Sequence, residues 1–408
     1  MRRSTPSIAG LARAVAVVAV AAMALALGAC GSSDSSGSSD SSAQAGGTLT
    51  LPFIGSFSGP SRQVGDSMQH GVDQAIKEIN ADGGVLGQQL KADYRDDGGV
   101  PAQSVTQARS ILQKMDPSVV FGATLTGNSD AIAPLLNEAQ VINFPGSSNS
   151  DAIDAEKFPY AFRAYITEES FNQAFVEYMK EAGLKTASLL LPDVSTLPLE
   201  EDLRPRMEEA DLDLVSVEEY TVGNSDFTPL ALQIKKANPE AVMFSAVSVG
   251  DAANYVKAAQ AIGSESVFVG QPGVSSGAFS ELAGPAGEDA LGQVLYNLAY
   301  TEENGPNYPP MVKFLDQIRA AGGENDLFLV DAYWYDMVKL WATAVEEAGS
   351  TDPDEVKTAL EGITDYPGLQ GPISFSPTQH DGLSVDSIVN AKIGQPPNEQ
   401  GLWLQEDL

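Results

Sequence analysis

Few side chains in this chain could carry covalent or acid–base chemistry, and their spacing suits none of the usual reactions. His70 and His380 are the two histidines. Neither has a second ligand-type residue at metal-binding spacing, so each is expected to be solvated or structural. No HExxH motif, cysteine cluster or calcium-type aspartate loop occurs, and no metal centre is expected. No GxSxG elbow presents a nucleophile. Residues 122–127 read GATLTG, with two glycines but without the Lys-Ser/Thr ending that grips phosphate. Asp96-Asp97 is a carboxylate pair at a strand end, a place where aspartates are usually solvated. An enzyme is therefore not expected, and neither is a bound cofactor.

The one thiol has a different setting. Cys30 is the single cysteine, so an intrachain disulfide is impossible. Arg2, Arg3 and Arg13 accompany an unbroken apolar run over residues 14–27. A membrane-spanning helix needs roughly 20 such residues, so this shorter run fits the apolar region of a signal peptide. It ends in Leu27-Gly28-Ala29-Cys30, which resembles the bacterial lipobox: an apolar residue, two small ones, then the cysteine that accepts the lipid. Ordinary secretory cleavage beside an unmodified cysteine is the alternative. Ser4, Thr5 and Pro6 after Arg2-Arg3 do not continue a twin-arginine signal. Residues 31–47 hold eight serines and four glycines, a flexible tether with a reach of roughly 20–25 Å. The expected division is a signal peptide over 1–29 and a lipidated cysteine with its tether over 30–47. The protein is expected outside the cell membrane, attached to its outer face only through the lipid on Cys30. The net charge of −32, lowered further by loss of the three arginines, opposes nucleic acid and anionic headgroups.

The elements that follow must position any binding site. A chain of 408 residues with 43% apolar content can build two lobes. Strands are expected at 48–54, 90–94, 119–121 and 141–144. Helices are expected at 66–80, from Pro101 to before Asp116-Pro117, and at 128–139. In the first, Asp66 is the expected cap, with Gln69 three residues on, and Met68, Val72, Ala75, Ile76 and Ile79 form one face. The rhythm restarts with helices at 168–182, 199–210, from Pro229 to near Asn238, and at 251–262. Strands at 186–191, 214–220, 241–245 and 267–270 alternate with them. Residues 327–349 form a long helix whose stripe of Tyr333, Trp334, Met337, Leu340, Trp341 and Val345 is expected in the core. The tail reads as two strands, 371–375 and 385–393, linked through His380-Asp381-Gly382. Such alternation implies an α/β chain with two doubly wound parallel sheets. Ligands then sit at the carboxyl ends of the strands, in the loops 123–127, 145–150, 247–250 and 271–276.

Several short segments fall in a characteristic order. They include Ser58-Gly59-Pro60 with Gly65, Glu78-Ile79-Asn80, Gly83-Gly84-Val85-Leu86-Gly87, Asp96-Asp97 and Val120-Phe121-Gly122. Pro145-Gly146-Ser147-Ser148, Asp226-Phe227, Ala332-Tyr333 with Tyr335-Asp336, Gly371-Pro372 and His380-Asp381-Gly382 follow. In order and spacing the chain resembles, over residues 48–393, the solute-binding proteins of ATP-driven (ABC) transporters of the branched-chain amino-acid (leucine-binding) family. The resemblance implies the type I periplasmic binding protein fold: two doubly wound lobes joined by three hinge crossovers, near residues 163, 299 and 374. One lobe would hold 48–163 plus 299–373, the other 164–298 plus 374–408. The partners implied are a small solute of the amino-acid, amide or carboxylate class and a membrane permease, with the protein a monomer. A ligand-sensing receptor component of the same fold is the alternative.

The resemblance also carries site residues. It implies that the loop with Gly146, Ser147 and Ser148 holds the ligand's head group, with Ser148 in the hydroxyl position, and that Thr126 holds a carboxylate. Turn formation is the other role open to Ser147 and Ser148. Five positions depart from the family. Val64 and Val247 replace aromatic residues, Thr196 and Leu197 stand where a tyrosine-glycine pair is expected, and Pro272 replaces the acid that pairs with an ammonium group. Loss of that acid favours a roomier apolar solute without an ammonium, unless Asp193 or Asp251 replaces it.

Overall fold

The computed structural model describes residues 46–147, 152–193, 199–245, 248–275, 277–322 and 328–406. The signal segment, Cys30, the tether to residue 45, Ser148, Thr196, Leu197 and Val247 lie outside them. The first half runs β1 (Thr48–Gly55), α1 (Arg62–Ala81), β2 (Gln89–Asp96), α2 (Pro101–Lys114), β3 (Val119–Phe121), α3 (Thr126–Glu138), β4 (Ile142–Phe144). Its sheet is parallel, ordered β2-β1-β3-β4. The second series begins with α4 (Glu168–Glu181), β5 (Thr186–Pro192), α5 (Leu199–Glu209), β6 (Asp213–Tyr220) and α6 (Thr228–Ala237). It continues through β7 (Ala241–Phe244), α7 (Val249–Ala261), β8 (Val267–Gly270), α8 (Gly277–Ala283) and β9 (Leu291–Leu295). Next come β10 (Ala299–Thr301), β11 (Gly305–Pro306), α9 (Pro309–Ala320), α10 (Phe328–Ala348) and α11 (Pro353–Glu361). The chain ends with β12 (Tyr366–Pro367), β13 (Pro372–Ile373), β14 (Ile388–Lys392) and β15 (Trp403–Leu404). The second large sheet is ordered β14-β9-β8-β7-β5-β6. Strand order reverses between β1 and β3 and again between β5 and β7, which makes both sheets doubly wound. Such reversal points open crevices beyond the carboxyl ends of the strands.

Three expectations need correction. α1 begins at Arg62 rather than Asp66, because the loop after β1 closes early. Asp96 accepts from Phe57 N at 2.9 Å and Ser58 Oγ at 2.6 Å, and Arg62 N donates to Gly59 O. Asp66 then lies a turn inside the helix, on an exposed face beside Arg62, and caps nothing. α3 begins at Thr126 rather than Asn128, since Leu125 O accepts from both Asn128 N and Ser129 N. The tail is divided between partners: β13 pairs with β12, while β14 crosses to the second sheet and pairs antiparallel with β9.

The apolar pattern positions the rest. Met68, Val72, Ala75, Ile76 and Ile79 of α1 are buried as one face. Phe53, Phe121 and Phe144 stack across the first sheet at 4.8 and 5.5 Å, and Trp341 meets Phe121 edge-on. Trp334, Met337, Leu340, Trp341 and Val345 are fully buried, so the aromatic stripe of α10 is core. The same cluster continues into Phe171 and Ala174 of α4 and into Leu295 and Ile388.

α10 also carries two buried acids. Asp336 accepts from Leu369 N at 2.9 Å and Gln370 N at 3.2 Å, yet burial pushes its carboxyl up to about 7. Burial likewise pushes Asp331 to about 6, although His70 faces it at 3.4 Å. A carboxyl whose folded pKa exceeds its unfolded value penalises the fold once ionised, and the penalty is relieved as pH falls. His70, raised by Asp331, adds in the same direction because its favourable term is lost as pH rises. His380, lowered by burial, opposes it. Stability is expected to rise on acidification from about pH 7.5 to about pH 5.5, with Asp336 contributing on the order of 2 kcal/mol. Urea unfolding at both pH values tests this. Asp336→Asn, which stays neutral throughout, is expected to flatten the profile; an unchanged slope would remove Asp336 as its source.

Candidate functional site

The first rim lies where the first sheet reverses order. Thr126 is the first residue of α3, and Ser147 follows β4. The sheet brings them together, with Thr126 Oγ1 and Ser147 Oγ 2.6 Å apart. Both side chains are half-buried, leaving lone pairs or protons for a ligand. Leu125 at the helix N-cap offers no side-chain hydrogen bond, so the first turn keeps unmet N–H donors. Such a terminus favours an anionic group. Gly146 N donates to Ala123 O at 2.9 Å, and Ser129 Oγ donates to the same oxygen at 2.9 Å. These bonds lock the two loops side by side.

Asp97, expected to be solvated, is instead buried at 2% exposure. It accepts from Ser56 Oγ, Ser104 Oγ, Asn128 Nδ2 and Gly99 N at 2.8–3.0 Å. It thereby ties the β1 loop and α2 to the first turn of α3. Asp96 is exposed and closes the β1 loop. Val64, expected in that loop, sits half-buried in the first turn of α1.

The second rim lies at the carboxyl ends of β5, β7 and β8. Pro272 opens a short 3-10 turn after β8 and offers neither charge nor donor. Asp193 is exposed, and its backbone N–H donates to Tyr220 O. Asp251 is buried and accepts from Gly223 N at 3.1 Å, so its carboxylate is committed to the loop after β6. Glu168, which the sequence pattern singled out only as a helix start, reaches this rim instead. Its Oε2 accepts from Gln271 Nε2 at 3.0 Å. Both histidines are structural: His70 faces Asp331, and His380 is buried against Ala161 O and Glu361. Among the described residues no group of three or more His, Cys, Asp or Glu could hold a metal ion. No helix among them is long and apolar enough to cross a membrane. The arrangement suits reversible capture of a small polar head group.

Comparison with known proteins bears on the family and the fold. A family model described as periplasmic binding protein matches residues 48–389. The leucine-, isoleucine-, valine-, threonine- and alanine-binding protein of Pseudomonas aeruginosa is 24% identical over 325 residues, 79% of this chain and 84% of that protein. The Leu/Ile/Val/Thr-binding protein of Salmonella typhimurium is 22% identical over 80% of this chain and 87% of its own length. An ABC transporter substrate-binding protein from Sphaerobacter thermophilus superposes with a TM-score of 0.74 at 20% identity, covering 88% of this chain and 97% of that one. The branched-chain amino acid transporter substrate binding protein of Streptococcus pneumoniae, solved with isoleucine, gives 0.66 at 21% identity, covering 87% and 97%.

Proposed function

Because the chain belongs to the periplasmic binding protein family, a non-enzymatic family of extracytoplasmic solute binders, we propose that it captures a small carboxylate- or amide-bearing solute for an ABC transporter permease. The observation that carries this is the Thr126–Ser147 hydroxyl pair at the uncapped start of α3. The ligands for which the relatives are named, leucine, isoleucine, valine, threonine and alanine, support the class. In this reading the protein works as a monomer. The solute sits between a lobe of 48–163 plus 299–373 and one of 164–298 plus 374–408, which close about the crossovers near 163, 299 and 374.

A hydrogen bond from a hydroxyl to a charged ligand group is worth about 1.5–3 kcal/mol. Thr126→Val and Ser147→Ala are each expected to weaken binding by roughly ten- to a hundredfold, while thermal unfolding barely moves. Calorimetry with leucine, isoleucine, valine, their amides and their 2-oxo acids measures it. Unchanged affinity in both variants would return these residues to turn formation.

The lipid anchor belongs to the same proposal. Leu27-Gly28-Ala29-Cys30 at the end of the short apolar run is its basis. Mass spectrometry of protein from the membrane fraction of the native host is expected to find a diacylglyceryl group on Cys30 as the first residue. An unmodified Cys30, or another N-terminus, sinks the anchor but leaves the solute site untouched.

A further inference from the structure

No side chain at the N-cap of α3 fixes its first turn, because Leu125 offers no acceptor there. The turn is held from behind. Asn128, the third residue of α3, is buried. Its Nδ2 donates to Asp97 Oδ2 at 2.8 Å and to Ser104 Oγ at 2.9 Å. Side chains two residues apart on a helix point about 200° apart. A bond that draws Asn128 inward therefore turns Thr126 outward, where its hydroxyl meets Ser147.

Asp97 can hold that turn because the sheet fixes its own place. It follows β2 directly; its backbone N–H donates to Gly55 O at 2.9 Å, and its carbonyl accepts from Val100 N at 3.0 Å. Its second carboxylate oxygen accepts from Ser56 Oγ and Gly99 N. Ser56 in turn meets Thr124 twice. Its backbone N–H donates to Thr124 Oγ1 at 3.2 Å, and that hydroxyl donates to Ser56 Oγ at 3.2 Å. The carboxylate thus reaches the 124–128 segment at both ends, with Thr126 between them. Its four donors fill the acceptor sites of a carboxylate. Asp97, Thr124 and Asn128 are all buried, so a solute at Thr126 does not touch them.

We propose that Asp97 is a positioning residue of the head-group site: acting through Asn128 and Ser56, it sets the rotation of the first turn of α3 and so aims the Thr126 hydroxyl at Ser147 and at the solute. This rests on the solute reading above and adds to it the residue that keeps the site in shape. A hydroxyl free to swing must be ordered by each arriving ligand, and that ordering costs affinity. A hydroxyl already aimed avoids the cost. Asp96, its neighbour in sequence, is exposed and closes the β1 loop, so the two acids of the pair have separate tasks.

A purely structural Asp97 would also lower stability when its bonds are cut, so stability alone does not separate the two roles. Coupling to Thr126 does. If Asp97 works through the Thr126 hydroxyl, cutting the tie matters only while that hydroxyl is present, and the two losses do not add. If Asp97 only supports the fold, they add. Ser104 supplies the control. Its Oγ donates to the same Asp97 Oδ2 at 2.8 Å but stands on α2, so Ser104→Ala weakens the network without releasing Asn128 from Asp97.

The test is calorimetry at neutral pH with leucine and 4-methyl-2-oxopentanoate on Asn128→Ala, Thr126→Val and the two combined, with urea unfolding of each. Asn128→Ala is expected to weaken the tighter probe about tenfold in the otherwise wild-type chain, and less than about threefold beside Thr126→Val. Ser104→Ala is expected to lower the urea midpoint comparably yet to change affinity less than about threefold. A reciprocal exchange serves even if Asn128→Ala does not fold. Asn128→Asp alone sets two carboxylates together and is expected to lose at least about tenfold in affinity. Asp97→Asn combined with Asn128→Asp again faces one amide with one carboxylate, and is expected to return within about threefold of wild type. Additive losses would overturn the inference and leave Thr126 and Ser147 standing as the site. So would Ser104→Ala binding as weakly as Asn128→Ala, or an exchange no better than Asn128→Asp alone. Thr126→Val at wild-type affinity, or no binding of either probe at millimolar concentration, overturns the solute reading itself, and this inference falls with it.

Discussion

Asp381→Ala is expected to cost about 3–5 kcal/mol of stability. Arg163 stands at the first crossover, and Asp381 in the tail segment returning towards the second sheet. Nε and Nη2 of Arg163 donate to the two carboxylate oxygens at 3.0 and 2.6 Å. The backbones are clipped as well: Arg163 N donates to His380 O and Gly382 N to Arg163 O, both at 2.8 Å. The side chain of Arg163 is 4% exposed and that of Asp381 25%, so the pair is unequal. Removing Asp381 takes the bidentate carboxylate from a buried guanidinium and leaves it the more distant charge of Glu169. Removing Arg163 leaves a carboxylate that water can reach. Arg163→Met is therefore expected to cost less than Asp381→Ala. The double variant Arg163→Met with Asp381→Leu is expected to recover much of the loss, because it buries no lone charge. Urea unfolding of the three variants supplies the cycle. A cost below about 1 kcal/mol for Asp381→Ala would mean that solvent screens the pair and that the backbone bonds alone hold the crossover.

Much of the fold is legible where apolar residues follow a local period. β3 has the bounds expected from Val119, Val120 and Phe121, a fully buried run set between Asp116-Pro117 and Gly122. The α1 face and the α10 stripe are legible for the same reason. What escapes is set by partners distant in sequence. The start of α1 depends on Asp96 gathering Phe57 and Ser58. Asp97 reads as a surface residue because its donors come from three separate segments. β9 carries no clear signal, since Gly292 and Gln293 interrupt its apolar residues. At the site, Thr126 and Ser147 are visible from motif order, and the sheet brings them together. Glu168 is not visible: Thr167-Glu168-Glu169-Ser170 reads as a capped helix start, which it also is. Its hydrogen bond to Gln271 joins residues 103 apart in sequence, which no local pattern shows.

Gly146→Ala is expected to abolish measurable solute binding and to lower stability by about 1–3 kcal/mol. Gly146 lies between β4 and Ser147, where the loop rests directly on the indole of Trp334. A Cβ built there would overlap that ring and press on Ala123 O. Trp334 is fully buried beneath the first sheet and cannot swing aside without opening the core. The loop must lift instead. Lifting breaks the bond from Gly146 N to Ala123 O and moves Ser147 Oγ away from Thr126. A shift of about 1 Å is enough to undo hydrogen bonds that work only near 2.7–3.2 Å. Gly127→Ala is the matched control. It lies one residue past Thr126, in the exposed first turn of α3, and its Cβ would meet nothing nearer than Pro101 at 4.0 Å. It is expected to leave stability unchanged or to raise it by up to about 1 kcal/mol. Thermal unfolding and calorimetry of both variants decide the point. If Gly146→Ala binds as wild type does, the floor under Ser147 is softer than Trp334 makes it, and the head group is held elsewhere.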